Sequence, residues 1–361
     1  VIGALDVGGR CQVSMATASG KTHVAVWSAS SLGVERVLVL VPSLALIAQT
    51  ADVWATDAHW GAARRIAVCS DTGELELEAT TDPAAVGAFL DAPGPALVFA
   101  TYHSSDVLVA AARRFDLTVA DEAHHLAGQA DKAFAPVLRG EIPTDRTLFM
   151  TATPRRFRRS AGDSELVGMD ADVFGPRVFD FPLSDAVAAG VVADYRVIVA
   201  AVERRVFDRV AALPEMAGID PYLLAGAIAV VRTMGEMRLG SCVSFHTRVD
   251  RARTFAQLIG AVADALGTER PPGHGWSGFV HGDTSMRIRR RLLARLADDR
   301  RWGVLGNAKA LGEGVDMPAL DCVAIVDPKN SEIDVMQATG RALRRPTSSK
   351  VGTVLLPVLL A

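Results

Sequence analysis

A Gly-Lys-Thr sequence lies between an apolar run and a helix-like segment in "VSMATASGKTHVAVWSA", residues 13–29. The run 12–16 is predicted to be a strand, and Lys21 to open a helix. Backbone N–H groups at such a helix start can cradle phosphate oxygens. Lys21 is then expected to reach the β- and γ-phosphates, and the Thr22 hydroxyl to hold Mg²⁺. This sequence of strand, loop and helix predicts a nucleotide-binding site in an α/β fold. The alternative is an ordinary helix start.

Short apolar runs alternate with helix-compatible segments along the rest of the chain, which is typical of βα units on a parallel sheet. The predicted strands are 12–16, 36–42, 65–69, 96–101, 116–120, 147–151, 241–246, 277–282, 302–307, 321–327 and 352–358. The predicted helices include 43–59, 83–91, 248–266, 285–299 and 332–344. Residues 160–195 carry Gly, Asp and Pro breaks and are predicted to connect two α/β lobes.

Composition excludes several classes of protein. The chain has 361 residues, of which 50% are hydrophobic and 22% charged, which suits two globular domains. Its 4 cysteines are far apart, which argues against a zinc site or a disulfide framework and favours a cytoplasmic protein. No uninterrupted apolar run reaches membrane-spanning length, so no membrane partner is expected. With a net charge of −3, any nucleic-acid surface must be local.

The loop has Met15 where the pattern G-x-x-x-x-G-K-[ST] has its first glycine. "MATASGKT" nevertheless resembles motif I of superfamily 2 DEAD/DEAH-box helicases, where an Ala-Thr pair commonly leads the loop. The resemblance implies that the nucleotide is ATP and that Thr17, Ala18, Ser19 and Gly20 belong to its binding loop. Glycine is commoner in the family at the position of Ala18, and we expect the Cβ there to limit the backbone.

The acidic motif of the family has its counterpart in "LTVADEAHH", residues 117–125. Asp121 and Glu122 follow the predicted strand 116–120, at the edge where open α/β sheets bind ligands. The resemblance implies that Asp121 organises Mg²⁺ and that Glu122 polarises the attacking water as a general base. It also implies that His124 links the ATP site to the parts that respond to nucleic acid.

Other motifs of the first half follow in the family's order. "FMTATPRR" resembles motif III, in which Thr151 and Thr153 can hydrogen-bond to His124. "VLVLVPSLALIAQT" resembles motif Ia and "ATYHSS" motif Ic, whose loops contact the sugar-phosphate backbone in the family. The candidate nucleic-acid residues from these segments and from a later one are Ser43, Gln49, Thr101, Ser104 and Lys309. Taken alone, each residue of the first two segments is an ordinary cap or turn residue.

The second half carries "MQATGRALRR", which resembles the family's Q-x-x-G-R-x-x-R motif. Gln337, Arg341 and Arg344 fall at i, i+4 and i+7, on one face of a helix. The resemblance implies that they meet the γ-phosphate, where a guanidinium neutralises transition-state charge. A basic helix end is the alternative. "GNAKALGEGVDMPALD" resembles motif V, which implies a place for Gly314 and Asp316 beside the nucleotide.

The motifs run from residue 13 to about residue 345 and resemble the DEAH-containing branch of restriction-enzyme motors and excision-repair-type helicases. The resemblance implies an α/β fold of two tandem RecA-like P-loop NTPase domains with parallel sheets. We expect them over 1–180 and 216–361, joined by a connector over 181–215. The implied function is an ATP- and Mg²⁺-dependent helicase or translocase that moves on or unwinds nucleic acid, with DNA favoured over RNA.

Two other functions stay open. One is a duplex-DNA translocating motor subunit of a restriction or phage-defence complex. The other is a nucleotide-controlled clamp that grips nucleic acid without strand separation. Because the chain opens with Val1 and reaches the loop almost at once, we expect it to be part of a longer protein with further domains or subunits.

Overall fold

The structure is a computed structural model. It describes residues 1–70, 75–129, 136–155, 166–298, 300–308, 310–311, 320–327 and 351–359. The chain divides into two compact units, the first over Val1–Ala186 and the second beginning at Val187. The domain bounds given above, with a connector over 181–215, stay predictions.

The first unit alternates strands with helices. Its strands are β1 (Arg10–Met15), β2 (Arg36–Val41), β3 (Arg64–Val68), β4 (Ala79–Thr80), β5 (Ala96–Thr101), β6 (Phe115–Ala120), β7 (Gly128–Gln129), β8 (Thr144–Thr151), β9 (Leu166–Val167) and β10 (Arg177–Phe181). Its helices are α1 (Ile2–Gly8), α2 (Lys21–Leu32), α3 (Leu44–Ala55), α4 (Pro83–Asp91), α5 (Ser105–Ala111), α6 (Pro136–Arg139) and α7 (Ala171–Phe174), and α8 (Leu183–Ala188) spans the division between the units.

Eight of these strands form one sheet in the order β10-β1-β8-β6-β2-β5-β3-β4. All of its neighbouring strands are parallel. β7 and β9 make a separate antiparallel pair. Because the strands are parallel, the residues that follow β1, β2, β5, β6 and β8 all emerge at one edge of the sheet.

Successive residues of the central strand β2 pack into opposite cores. Val37, Val39 and Val41 belong to a cluster that contains residues of α2 and α3. Leu38 and Leu40 belong to a second cluster that contains residues of α4 and α5. All five side chains are 0% exposed, as expected for a parallel sheet covered on both faces. Both faces of the sheet are therefore covered by packed side chains, and the ends of the strands are where a ligand can bind.

The second unit is built on a parallel sheet of its own. Its strands are β11 (Tyr195–Val202), β12 (Ser241–Phe245), β13 (Gly275–His281), β14 (Trp302–Ala308), β15 (Cys322–Ile325) and β16 (Gly352–Leu359). Its helices are α9 (Arg204–Ala211), α10 (Pro221–Glu236), α11 (Val249–Leu266) and α12 (Met286–Leu296). The strand order is β11-β16-β15-β12-β14-β13, and every neighbouring pair is parallel.

Side-chain caps set the starts of several helices. Ser43 Oγ accepts a hydrogen bond from the backbone N–H of Leu46 at the start of α3. Asp82 caps α4 and Asp220 caps α10, and in both helices the next residue is a proline at the first helical position. These are the residue types that satisfy free N–H groups at a helix start, so each boundary follows from the local sequence.

The predicted fold class, two tandem parallel α/β lobes, is confirmed. The predicted strands are all present with small shifts of their ends, while the helix predicted over 332–344 lies outside the described residues. The sequence pattern predicts no strand over 177–181 or 195–202, and here it is wrong. Both are edge strands. β10, RVFDF, is short and of mixed polarity, whereas β11 has an apolar run over 197–202 that lies within the segment interpreted as the connector.

Candidate active site

The loop after β1 has the form expected of a phosphate-binding loop. It leaves the strand at Met15, and α2 begins at Lys21 after a left-handed Gly20 with φ of 97°. Ser19 closes the turn, since its Oγ donates to the carbonyl oxygen of Ala16 at 2.7 Å and its backbone N–H donates to the same oxygen at 3.2 Å. The first turn of α2 therefore presents free backbone N–H groups at the end of a buried strand.

Ala18 adopts a left-handed backbone conformation, with φ of 64°. This region suits glycine because a Cβ crowds the neighbouring carbonyl oxygen. The conformation explains why glycine is the commoner residue at this position of the motif. The strain costs roughly 1 kcal/mol, and the exposed methyl group gains no core packing in return.

The acidic pair lies at the end of β6, as the sequence predicts. Asp121 is buried, and its backbone N–H donates to the carbonyl oxygen of Leu40 in β2 at 2.9 Å. The Asp121 carboxylate accepts from the backbone N–H of Glu122 at 2.9 Å. Glu122 is itself left-handed, with φ of 50°. The chain therefore turns sharply after the strand and redirects the Glu122 side chain.

Lys21 and Glu122 meet across the end of the sheet. Lys21 Nζ lies 3.8 Å from Glu122 Oε1, and the two side chains are only 8% and 12% exposed. Lys21 Nζ also donates to the carbonyl oxygen of Met15 at 3.4 Å. The cation of the loop and the predicted general base are thus neighbours in a largely buried site, where charge interactions are stronger than in water.

His124 continues this line of contacts. Its Nδ1 lies 3.5 Å from Glu122 Oε2 and 3.0 Å from Thr151 Oγ1, and its side chain is buried. Thr151 Oγ1 also accepts from the backbone N–H of Thr153 at 3.1 Å. The hydrogen bond between His124 and Thr151 is the contact that the sequence predicts. Lys21, Glu122, His124 and Thr151 form one continuous chain of polar contacts within the first unit.

The other predicted site residues of this unit lie in helix caps, turns and helices. Ser43 caps α3, and Thr101 Oγ1 lies 3.0 Å from Ser104 Oγ in the turn after β5. Gln49 is half-buried on α3, and Thr22 is half-buried in the first turn of α2. Their predicted contacts with nucleic acid and Mg²⁺ stay predictions. Six predicted residues lie outside the described residues: Lys309, Gly314, Asp316, Gln337, Arg341 and Arg344.

A polar network at the strand ends of the second sheet has no counterpart in the sequence predictions. Asp327, after β15, accepts from the backbone N–H and the hydroxyl of Thr247, each at 2.9 Å. Arg251 Nε donates to the other carboxylate oxygen of Asp327 at 2.8 Å. Arg251 Nη1 lies 3.4 Å from Asp220 Oδ2. Burial alone would raise the pKa of Asp327, but the hydrogen bonds from Thr247 and Arg251 outweigh it and lower that pKa.

His246 lies beside this network, directly after β12. Its Nε2 is 2.9 Å from Ser244 Oγ. Burial lowers the pKa of His246 to about 4, so the ring is neutral at pH 7. Asp327 ends an apolar run as Asp121 does, and this is the sequence signal that could have located the network.

Two kinds of feature are absent from the described part of the chain. None of its helices is both long and apolar enough to cross a membrane. In the same residues, no three side chains of His, Cys, Asp and Glu gather where they could hold a metal ion. A nucleotide-bound Mg²⁺ does not need such a group, because phosphate oxygens and water fill most of its coordination sphere.

Solved structures of other proteins have the same fold as this chain. The structure titled "ATP-dependent Type ISP restriction-modification enzyme LlaBIII bound to DNA" is 24% identical, with a TM-score of 0.84 over 100% of this chain and 27% of that one. A nuclease-deletion mutant of the Type ISP enzyme LlaGI, in complex with a DNA substrate mimic, is 23% identical, with a TM-score of 0.68 over 99% of this chain and 26% of that one. The helicase MrfA bound to DNA and AMPPNP is 17% identical, with a TM-score of 0.59 over 98% of this chain and 47% of that one.

Sequence comparisons point to one family. A protein of African swine fever virus named "Probable helicase" is 26% identical over 363 residues, which cover 98% of this chain but only 39% of the viral protein. The model for the DEAD/DEAH box helicase matches residues 1–160, and the model for the helicase conserved C-terminal domain matches residues 238–346. The two models match the two parallel sheets in turn, so the chain belongs to the DEAD/DEAH box helicases.

Proposed function

We propose that the chain is an ATP-driven motor that moves on or unwinds DNA. The observation that carries the proposal is the contact between Lys21 Nζ and Glu122 Oε1 at 3.8 Å. It joins the phosphate-binding loop after β1 to a carboxylate at the end of β6, two strands away in the same sheet, which is the arrangement that ATP hydrolysis needs. Membership of the helicase family supports the same function.

The proposed chemistry assigns each group a task. The loop residues Thr17, Ala18, Ser19 and Gly20 and the start of α2 bind the phosphates of ATP, and Lys21 neutralises their charge. Glu122 accepts the proton of the attacking water, a role worth roughly 10²–10⁴ in rate.

Thr22 and Asp121 fit the task of holding Mg²⁺ with the phosphates. A hydroxyl and a buried carboxylate are the oxygen donors that this ion takes in nucleotide sites. When bound, Mg²⁺ supplies positive charge that stabilises the transferring phosphoryl group. The buried position of Asp121 at the end of β6, with its backbone fixed by Leu40, keeps that carboxylate at the sheet edge.

The other motif residues complete the proposal. We assign Gln337, Arg341 and Arg344 to the γ-phosphate, and Gly314 and Asp316 to the nucleotide. Family resemblance supports these roles. For Thr151 and Thr153 we propose a coupling role through His124, supported by the 3.0 Å contact between His124 and Thr151.

DNA is the proposed track. The solved relatives include proteins bound to DNA or to a DNA substrate mimic. The proposed contacts with the sugar-phosphate backbone are Ser43, Gln49, Thr101, Ser104 and Lys309. Because the chain spans 39% of its viral relative, we also propose that the complete protein has further domains or subunits.

Two narrower points belong to the same proposal. The sequence Asp-Glu-Ala-His at 121–124 supports assignment to the DEAH-containing branch. A cytoplasmic location is proposed because Cys11, Cys69, Cys242 and Cys322 are buried and form no disulfide among the described residues.

Specific observations favour each of two alternatives. Similarity to the Type ISP restriction-modification enzymes LlaBIII and LlaGI favours a duplex-DNA translocating motor of a restriction or phage-defence complex. The left-handed Ala18 favours a nucleotide-controlled clamp, in which the strained loop binds ATP but hydrolyses it slowly.

The test is steady-state ATP hydrolysis without polymer and with single-stranded DNA, duplex DNA or RNA, with Lys21→Ala as the control. We expect DNA to stimulate hydrolysis and the control to abolish it. Stimulation by duplex DNA without strand displacement selects the restriction-type motor. Binding of ATP without turnover in any mixture contradicts a motor and favours the clamp.

A further inference from the structure

Tyr102 makes a contact that the chemistry described so far does not use. Its hydroxyl donates a hydrogen bond to the backbone carbonyl oxygen of Asp121 at 2.6 Å, and its side chain is buried. Tyr102 directly follows β5, and Asp121 directly follows β6. Because β2 separates these strands in the sheet, the ring extends past the end of β2 to reach the acidic motif.

The bond fixes one end of a particular peptide unit. The carbonyl of Asp121 and the N–H of Glu122 belong to the same rigid plane. Tyr102 holds the carbonyl end, and the Asp121 carboxylate holds the N–H end at 2.9 Å. The orientation of this plane sets the left-handed φ of 50° at Glu122, a conformation that costs free energy and needs support from its surroundings.

Tyr102 also lies within the segment predicted to contact nucleic acid. Its neighbours Thr101 and Ser104 face each other at 3.0 Å. Ser105 Oγ donates to the carbonyl oxygen of Tyr102 at 2.8 Å, which ties the backbone of this residue to the start of α5. A displacement of the turn after β5 would therefore move the phenol group that holds Asp121.

We propose that Tyr102 is a positioning residue that connects the turn after β5 to Glu122 through the Asp121 carbonyl group. The proposal rests on the proposed function, since it takes Glu122 as the general base. Contact of nucleic acid with the turn changes the hydrogen bond from Tyr102 and thereby the placement of the Glu122 carboxylate. In this role Tyr102 acts on Glu122 through the Asp121 peptide and not directly on ATP.

The test is Tyr102→Phe, which keeps the buried ring and removes only the donor. Tyr222→Phe, at a tyrosine 69% exposed on α10, is the matched control. With DNA present and turnover normalised to bound ATP, we expect Tyr102→Phe to lower kcat about tenfold, as for one lost buried hydrogen bond. KM for ATP and the Kd for DNA should change less than twofold. An unchanged kcat, or a change confined to KM or Kd, overturns the proposal.

A second readout needs no turnover. Hydrogen exchange of the Glu122 amide should be faster in Tyr102→Phe than in wild type, and unchanged in Tyr222→Phe. Equal exchange rates overturn the proposal even where ATP hydrolysis is absent. Lack of ATP hydrolysis in the wild-type protein contradicts the proposed function instead, so the two failures are distinguishable.

Discussion

Two residues with side chains hold left-handed conformations at the candidate site, Ala18 with φ of 64° and Glu122 with φ of 50°. Strain of this kind is kept where the surroundings impose it, and it gathers at functional sites. At Glu122 the hydrogen bonds of the preceding peptide impose it. At Ala18 the course of the phosphate loop between β1 and α2 imposes it, and a glycine would have the same backbone without the steric cost.

Ala18→Gly should therefore stabilise the first unit slightly, by up to about 0.5 kcal/mol, because the larger entropy of the unfolded glycine offsets much of the strain that is relieved. The measurement is urea unfolding, followed by hydrogen exchange in peptides of the first unit. Ala88→Gly, at an exposed alanine inside α4, is the control and should destabilise by about 0.5–1 kcal/mol. Destabilisation in both variants would contradict the strain assigned to Ala18.

In the second sheet, two strand ends are joined by a network of charged side chains around the buried Asp327. Asp327 after β15 receives hydrogen bonds from Thr247 after β12 and from Arg251 on α11. Arg251 also pairs with Asp220, which caps α10 through the N–H of Leu223 at 2.9 Å. Through Asp327 and Asp220, the guanidinium group of Arg251 thus connects the ends of β12 and β15 with α10 and α11. Asp327 is only 3% exposed, so it depends on these partners for its charge.

Arg251→Met should lower the free energy of unfolding of the second unit by about 3 kcal/mol, because it leaves a buried carboxylate with one partner fewer. Urea unfolding followed by hydrogen exchange in peptides of this unit measures the loss. Arg248→Met is the matched control, since Arg248 pairs with Asp250 at the surface and both side chains are exposed. The control should lose less than about 1 kcal/mol. Equal losses in the two variants would mean that the pair of Arg251 and Asp327 stabilises the unit no more than the surface pair does.

The contrast between predicted and unpredicted elements has a physical cause. β2 is evident in the sequence because both of its faces are buried and its apolar run, 37–41, is continuous. β10 and β11 lie at the sheet edges, where β10 has a short sequence of mixed polarity and the apolar run 197–202 of β11 falls in the segment interpreted as a connector. Their place depends on pairing with strands far away in sequence, such as β11 with β16.

The same division holds for the candidate site. Lys21, Asp121 and Glu122 are predictable because the loop and the strand end each have a local pattern with known chemistry. The bond between Arg251 and Asp327 joins residues 76 positions apart and depends on β12 and β15 being neighbours. No local sequence pattern predicts that strand order. The hydrogen bond from Tyr102 to Asp121 depends on strand order in the same way.

At the scale of the whole molecule, the chain has two parallel α/β units, and each is matched by one of the two helicase family models. Each sheet keeps a polar cluster at the ends of its strands: Lys21, Glu122 and His124 in the first, Thr247 and Asp327 in the second. We propose that the cluster of the first unit hydrolyses ATP, with Glu122 as the base.

Glu122→Gln tests the role of this carboxylate, because it keeps the shape of the side chain and removes its ability to accept a proton. We expect the variant to bind ATP within about twofold of wild type and to lose at least about 10²-fold in single-turnover hydrolysis. Lys21→Ala, measured alongside, should lose ATP binding itself. Hydrolysis by Glu122→Gln at the wild-type rate would contradict the assignment of the site.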